Sequence, residues 1–297
     1  MSYKIDDEFL CVADESGRER MKSKLEEKHG IIRQSIIARS ILSRPIEAYF
    51  IGEGKRYVTV FATHHALESI STNVAFLLID YIMQKSKEGR INDVDCKLLL
   101  SKYCFCIAPC VNPDGVELRV SGASDSLLRD RQMKLSGGDF STWQANARGV
   151  DLNHNYDHRF SEYKRIEAEK GIAPGASLYS GEYPESEPET RGVANFVRTL
   201  MPSAVVCLHT QGEEIYYQPK DRRTKRLAQR IAEACGYSVD EPEGTAAYGG
   251  LADYCGSLGI PSFTLEIGKG TNPLPEADVP RIFSQIRDAI TLLPILL

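Results

Sequence analysis

The chain has 297 residues, and its 36 lysines and arginines against 41 acidic residues give a formal net charge of −5. Hydrophobic residues make up 42% of the sequence, which excludes a chain that is disordered throughout. Because the balance is mildly acidic and no basic block is present, the composition also excludes a typical nucleic-acid-binding protein.

The N-terminal part of the chain is strongly charged. We predict that residues 1–30 form a charged N-terminal extension, with a solvated helix face over 18–28, and that 31–297 form the main domain. No apolar stretch typical of a secretion signal or a membrane span is visible, so the chain is expected to act in the cytoplasm without binding a membrane. The eight cysteines form no C-x-x-C pair and are expected to be buried, reduced thiols.

Strand-like and helix-like segments alternate along the rest of the chain. Strands are predicted at 57–63, within 98–111, at 204–208 and at 262–267, and helices at 68–87, 222–235 and 280–293. A further helix is expected after 186–189, where Ser stands three residues before Glu as in a capping box. This alternation predicts an α/β fold with a parallel or mixed sheet, whose functional residues lie beyond the carboxyl ends of the strands.

Potential metal ligands follow three of the predicted strands. His64, His65 and Glu68 come after the first, His209 after the third, and Glu266 ends the fourth. A carboxylate in an apolar strand must be paired, liganded or neutralised, because burying it alone is too costly. The i,i+3 spacing to Glu68 favours His65 as a ligand, with His64 as the alternative. Each signal is weak alone, but together they suit a zinc site that keeps one position open for water.

Six short motifs resemble the zinc carboxypeptidase family, which contains the pancreatic carboxypeptidases, and occur in the family's order over about residues 35–290. They are His65-Ala66-Leu67-Glu68, Asn112-Pro113-Asp114-Gly115, Gly149-Val150-Asp151-Leu152-Asn153, Ser186-Glu187-Pro188-Glu189-Thr190, Leu208-His209 and Phe263-Thr264-Leu265-Glu266. The resemblance implies a single α/β domain with a mixed parallel and antiparallel eight-stranded sheet flanked by helices. It further implies one Zn²⁺ per chain, held by His65, Glu68 and His209, with Glu266 as the catalytic general base, so that 31–297 is the catalytic domain.

Three further stretches, 143–148, 209–216 and 266–275, resemble the bacterial γ-D-glutamyl-L-diamino-acid endopeptidases. The resemblance implies a zinc metallopeptidase that hydrolyses γ-D-glutamyl–diaminopimelate bonds in peptidoglycan-derived peptides. Its partner would then be a small peptide with carboxylates, bound in a locally positive pocket. The alternatives are a conventional zinc carboxypeptidase releasing C-terminal amino acids, an amidohydrolase related to aminoacylases or desuccinylases, and a non-catalytic binding protein on the same fold. The sequence leaves the oligomeric state open.

The sequence departs from the carboxypeptidase pattern at two places where that family has an arginine. Gln144 aligns with the arginine that stabilises the oxyanion, and Arg148 is one candidate to replace it, beside Arg119, Arg129 and Arg131. After Asn153, His154 stands where the family's arginine grips the substrate's terminal carboxylate, so that carboxylate is expected to be held differently. Tyr248, beside two glycines, is the candidate for the family's mobile substrate-binding tyrosine.

Overall fold

The computed structural model describes residues 3–91, 93–123 and 127–297. Its strands are β1 (Gln34–Arg39), β2 (Pro45–Ile51), β3 (Arg56–Ala62), β4 (Arg90–Ile91), β5 (Val94–Asp95), β6 (Tyr103–Ala108), β7 (Ala204–His209), β8 (Glu214–Gln218), β9 (Ser238–Val239) and β10 (Ser262–Glu266). Its α-helices are α1 (Glu15–His29), α2 (Ile70–Glu88), α3 (Cys96–Lys102), α4 (Pro113–Ser121), α5 (Arg129–Ser136), α6 (Phe160–Lys170), α7 (Pro188–Leu200), α8 (Arg222–Cys235), α9 (Leu251–Ser257) and α10 (Val279–Leu296).

Within the described residues, eight strands form one sheet in the order β1-β2-β6-β3-β7-β10-β8-β9. The centre of the sheet is parallel, since β3 pairs in parallel with β6 and β7, and β7 with β10. Strand β2 runs antiparallel to both β1 and β6, and β8 antiparallel to β10. The predicted α/β class and mixed eight-stranded sheet are therefore confirmed.

Helices cover both faces of the sheet, because its central strands are apolar on both sides. Every residue of β6 and β7 is buried, as expected for continuous apolar runs in a parallel sheet. Helices α1, α2, α8 and α10 share one core, and α7 and α9 pack in a second core against the other face. No helix of the described residues is both long and apolar enough to cross a membrane.

The charged N-terminal segment is less solvated than its composition suggests. Helix α1 buries Met21 and Leu25 in the core that it shares with α2. The division of the chain at residue 30 stays a prediction. All eight cysteines are free; Cys11 is half-buried and the other seven are buried.

Two predicted helix starts differ in detail from the structure. Helix α7 begins at Pro188, inside the 186–189 motif, but its N-cap is Glu187 and no side chain caps it. Ser186 instead accepts a hydrogen bond from Asn155 Nδ2 (2.9 Å) and donates one to Glu187 (2.9 Å), so the capping-box interpretation is wrong. Helix α2 begins at Ile70, and Glu68 lies in the 3₁₀ turn before it.

Candidate metal centre

The three segments that carry potential ligands follow neighbouring parallel strands. In the sheet β7 lies between β3 and β10, and Glu266 at the end of β10 is the ladder partner of His209 at the end of β7. Strand β3 ends one residue earlier in the ladder, where Ala62 pairs with Leu208. Because parallel strands end at the same edge, the candidate ligands meet there.

A tight turn after β3 positions His65. Thr63 has a left-handed backbone (φ +56°), and its N–H donates to Ser71 Oγ (3.0 Å). Asn112 Nδ2 donates to the His64 carbonyl (2.9 Å), and Asn112 Oδ1 accepts from Gly115 N–H (3.0 Å). A non-glycine residue keeps such a conformation only when its surroundings fix it. The Asn-Pro-Asp-Gly motif therefore both caps α4 and holds the turn that carries the histidines.

His65, Glu68 and His209 converge at the sheet edge. His65 Nδ1 lies 2.9 Å from Glu68 Oε1, and His209 Nδ1 lies 3.0 Å from Glu68 Oε2. One donor atom from each of the three side chains lies within 4.8 Å of the others. Two imidazole nitrogens and a carboxylate oxygen are the donor set of catalytic zinc sites that keep an open position, so these residues fit the metal.

Asp151 orients His65 from behind, a role that the sequence reasoning missed. Asp151 Oδ1 lies 3.1 Å from His65 Nε2 and accepts from Asn153 N–H (3.1 Å), while Oδ2 accepts from Leu178 N–H (3.0 Å). Burial raises the pKa of Asp151, but attraction to His65 outweighs it and holds the pKa well below its usual range. Carboxylates face both ring nitrogens of His65; burial lowers the pKa of the imidazole, but attraction to Glu68 and Asp151 outweighs it and raises the pKa well above its usual value. A metal in place of the Nδ1 proton would leave Nε2–H donating to Asp151, which would fix the ring. The sequence signal for this role was the position of Asp151 between two apolar residues of the 149–153 motif.

Glu266 lies beside this cluster, on the wall of a cavity that His65 and His209 also line. Burial raises its pKa to about 7, although the charge of His209 opposes the shift. A bound divalent cation would lower this pKa again, since it favours the charged carboxylate. A buried carboxylate beside the metal ligands can accept a proton and therefore suits a general base.

His64 lies apart from the converging donors. Its Nε2 is 2.9 Å from the Tyr156 hydroxyl, and its side chain is fully buried. Burial, reinforced by the neighbouring His209 and His65, lowers its pKa well below the usual value. His64 therefore packs beneath the site as a neutral residue.

A cavity of 180 Å³ opens beside the cluster and is lined by Gln144, Asn153 and His154 among the predicted substrate-binding residues. Arg148 and Tyr248 are not part of its lining. Arg148 is half-exposed and lies 3.6 Å from Glu187, and the Tyr248 ring packs against the Arg159 guanidinium at 4.2 Å.

The protein side chains that line this cavity do not make it the locally positive pocket that we expected. Asp151, Asp253 and Glu266 line it, and its described lining contains no lysine or arginine. The expectation was wrong because none of the four candidate arginines lies in the wall; Arg119, for example, donates to Ser69 Oγ instead (3.2 Å).

His154 is fixed in the cavity wall by three contacts. Its Nδ1 lies 2.8 Å from the Tyr248 carbonyl, and its ring stacks on Tyr163 with 4.3 Å between centroids and 7° between planes. Burial lowers its pKa even though Asp151 opposes the shift. A Cβ on Gly249 would lie 2.7 Å from the His154 carbonyl oxygen, so the loop after Tyr248 approaches this residue closely.

Known proteins are similar to this chain in sequence and in fold. A family profile described as zinc carboxypeptidase matches residues 19–288. γ-D-Glutamyl-L-diamino acid endopeptidase 1 of Lysinibacillus sphaericus is 29% identical over 88% of this chain and 67% of its own. Bovine thrombin-activatable fibrinolysis inhibitor has a TM-score of 0.75 at 21% identity, covering 97% of each chain. Murein-tripeptide amidase of Escherichia coli O157 has a TM-score of 0.58 at 19% identity, covering 90% of this chain and 95% of its own.

Proposed function

Because the chain belongs to the zinc carboxypeptidase family of metallopeptidases, we propose that His65, Glu68 and His209 bind one zinc ion for amide hydrolysis. The observation that carries this proposal is the convergence of their donor atoms within 4.8 Å at one edge of the sheet. Bound zinc in an open site supplies Lewis-acid chemistry that polarises a carbonyl and acidifies water. Asp151 supports the site by fixing the His65 ring and its tautomer.

Glu266 is proposed as the general base. It ends β10 next to His209 and shares the cavity wall with His65, so it would lie beside a water at the open position of the metal site. Its carboxylate can accept a proton and hand it to the leaving amine, and bound zinc would keep it charged by lowering its metal-free pKa of about 7.

Two neutral amides are proposed to bind the substrate's oxygens in place of arginine. Asn153 Oδ1 accepts from Leu251 N–H (3.1 Å), so its orientation is set and Nδ2 is the atom left for substrate. Gln144 also lines the cavity, and its own backbone carbonyl accepts a hydrogen bond from Ala66 N–H (2.9 Å). Its side-chain amide is proposed to donate to the developing oxyanion.

We further propose that the substrate is a peptidoglycan-derived peptide and that the bond cut is γ-D-glutamyl–diaminopimelate. This is supported by stretches 143–148, 209–216 and 266–275 and by the similarity to the Lysinibacillus sphaericus endopeptidase. The absence of arginine from the described cavity lining also disfavours trimming of ordinary C-termini, which uses a fork-shaped cation to grip the terminal carboxylate. Action in the cytoplasm stays a prediction.

The test compares two substrates on the zinc-loaded protein. L-Ala-γ-D-Glu-meso-diaminopimelate should release diaminopimelate, while ordinary C-terminal dipeptides should not be cut. Glu266→Gln should lower the rate of release about 10²–10⁴-fold, and Glu169→Gln, at an exposed position, is the matched control. Cleavage of the ordinary dipeptides alone would identify a conventional carboxypeptidase. No cleavage of either substrate by a protein that holds zinc would refute the proposed function.

A further inference from the structure

Arg119, in the last turn of α4, is a half-buried cation without an acidic partner. Its Nη2 donates to Ser69 Oγ (3.2 Å), and its Nε is buried with no hydrogen-bond partner among the described residues. The described part of the chain offers it no salt bridge, although the charge of Glu276 attracts it from further away. Since an arginine remains charged in a protein, its unused donors call for a ligand that accepts hydrogen bonds.

The guanidinium lies beside the segment that carries a proposed metal ligand. Ser69, which accepts its hydrogen bond, directly follows Glu68, so the Cα atoms of these two residues are about 3.8 Å apart. Helix α4 also packs against the 3₁₀ turn Ala66–Glu68 in one apolar cluster. Arg119 is therefore fixed next to the metal centre, although it does not line the cavity.

Arg119 and the cavity lie towards opposite ends of the sheet. Helix α4 follows β6, which neighbours β3 on the side away from β7, whereas β8 and β10 contribute to the wall of the cavity. A substrate whose leaving amino acid occupies the cavity extends its acyl part across the metal ligands towards Arg119. An anionic group on the acyl part would then meet the unused donors of the guanidinium.

We propose that Arg119 binds the free α-carboxylate of the glutamyl residue on the acyl side of the scissile bond. This proposal rests on the proposed function and narrows it. A γ-linked glutamyl residue keeps its α-carboxylate a few bonds from the scissile carbonyl, and the planar guanidinium fork matches a carboxylate. The enzyme therefore distinguishes a free α-carboxylate from an amidated one, and an ordinary α-linked peptide has no carboxylate at this position.

A binding experiment tests this site without turnover. Calorimetry on the zinc-loaded protein compares L-Ala-D-Glu with its α-carboxamide, L-Ala-D-isoglutamine, which keeps the γ-carboxylate and loses only the α charge. The wild type should bind the carboxamide about tenfold more weakly, or worse, as for loss of a charged hydrogen bond. Equal binding of the two dipeptides by the wild type, which needs no variant, would overturn the proposal.

Variants assign the preference to Arg119. Arg119→Gln and Arg119→Met keep an unbranched side chain without the charge, so both should bind the two dipeptides equally. Arg119→Lys restores a cation and should recover part of the preference, and Arg226→Gln, at an exposed position on α8, should keep all of it. A full preference in folded Arg119→Gln or Arg119→Met would overturn the assignment.

A turnover experiment separates failure of this inference from failure of the proposed function. The substrates are L-Ala-γ-D-Glu-meso-diaminopimelate and its analogue with an α-carboxamide on the glutamyl residue. The expected result is a kcat/KM about tenfold lower, or less, for the carboxamide. Cleavage of both at the same rate would refute carboxylate recognition and leave the γ-glutamyl activity standing. Cleavage of neither would refute the proposed function, and the calorimetry would still decide whether the carboxylate site exists.

Discussion

Replacement of Asp151 by asparagine should weaken metal binding although Asp151 touches no metal. Its two oxygens accept three hydrogen bonds, from His65, Asn153 and Leu178, at 3.0–3.1 Å. An asparagine amide replaces one of these acceptor oxygens by an NH₂ donor. Whichever way the amide is turned, its NH₂ then faces at least one of the three N–H donors and a hydrogen bond is lost. Loss of such an orienting carboxylate lowers metal affinity about 10–100-fold, or about 1.4–2.7 kcal/mol.

The assay is competition for zinc between the protein and a chromophoric chelator at fixed pH. Asp151→Asn should hold zinc with the reduced affinity, while Asp157→Asn, at an exposed position six residues later, should match the wild type. Circular dichroism and thermal melting of the apo proteins show whether the variant is folded. If folded Asp151→Asn binds zinc as tightly as the wild type, the reasoning about His65 orientation is refuted.

Three further changes test other parts of the structure. Glu266→Gln should lower kcat about 10²–10⁴-fold with zinc still bound, as initial rates and metal analysis will show; an unchanged kcat would exclude Glu266 as the base. Burial raises the pKa of Glu189 from 4.5 to about 8, and its Oε2 has no hydrogen-bond partner among the described residues. The fold therefore favours the neutral acid. Its contribution to stability is full below pH 4.5 and falls as the pH rises through about 8, by up to about 5 kcal/mol. Urea unfolding at pH 5 and pH 9 should show this loss, and Glu189→Gln should reduce it; equal pH dependence in both proteins would contradict the assignment. Gly115→Ala would place a Cβ 2.4 Å from the Ala145 carbonyl oxygen and should destabilise the protein by about 1–3 kcal/mol, measured by thermal melting, whereas a neutral effect would show that this contact relaxes.

The sequence was most informative where the signal is local. Apolar runs located the central strands, and the helix predicted at 222–235 has the observed bounds of α8, which Gly236 follows in a left-handed conformation (φ +78°). The rule that functional sites lie beyond the carboxyl ends of strands predicts His65, His209 and Glu266 as site residues from the sequence alone. Their convergence follows from three parallel neighbours, an arrangement that strand periodicity alone does not specify.

The sequence patterns do not predict contacts between segments that are far apart along the chain. Asp151 reaches His65 across 86 positions, and the proton on His154 is placed by a carbonyl 94 positions away. The prediction of a positive pocket was wrong for the same reason. The sequence shows that Arg148 is present, but its position near Glu187 is a tertiary contact that the sequence does not show.

Zinc-dependent release of diaminopimelate from L-Ala-γ-D-Glu-meso-diaminopimelate tests the central claim most directly. The metal-free protein is titrated with zinc while release is followed, beside the His209→Ala variant. Activity should rise from zero to a plateau at one zinc per chain in the wild type and should be absent in the variant. Full activity without metal, or undiminished activity in His209→Ala, would contradict the proposed metal centre.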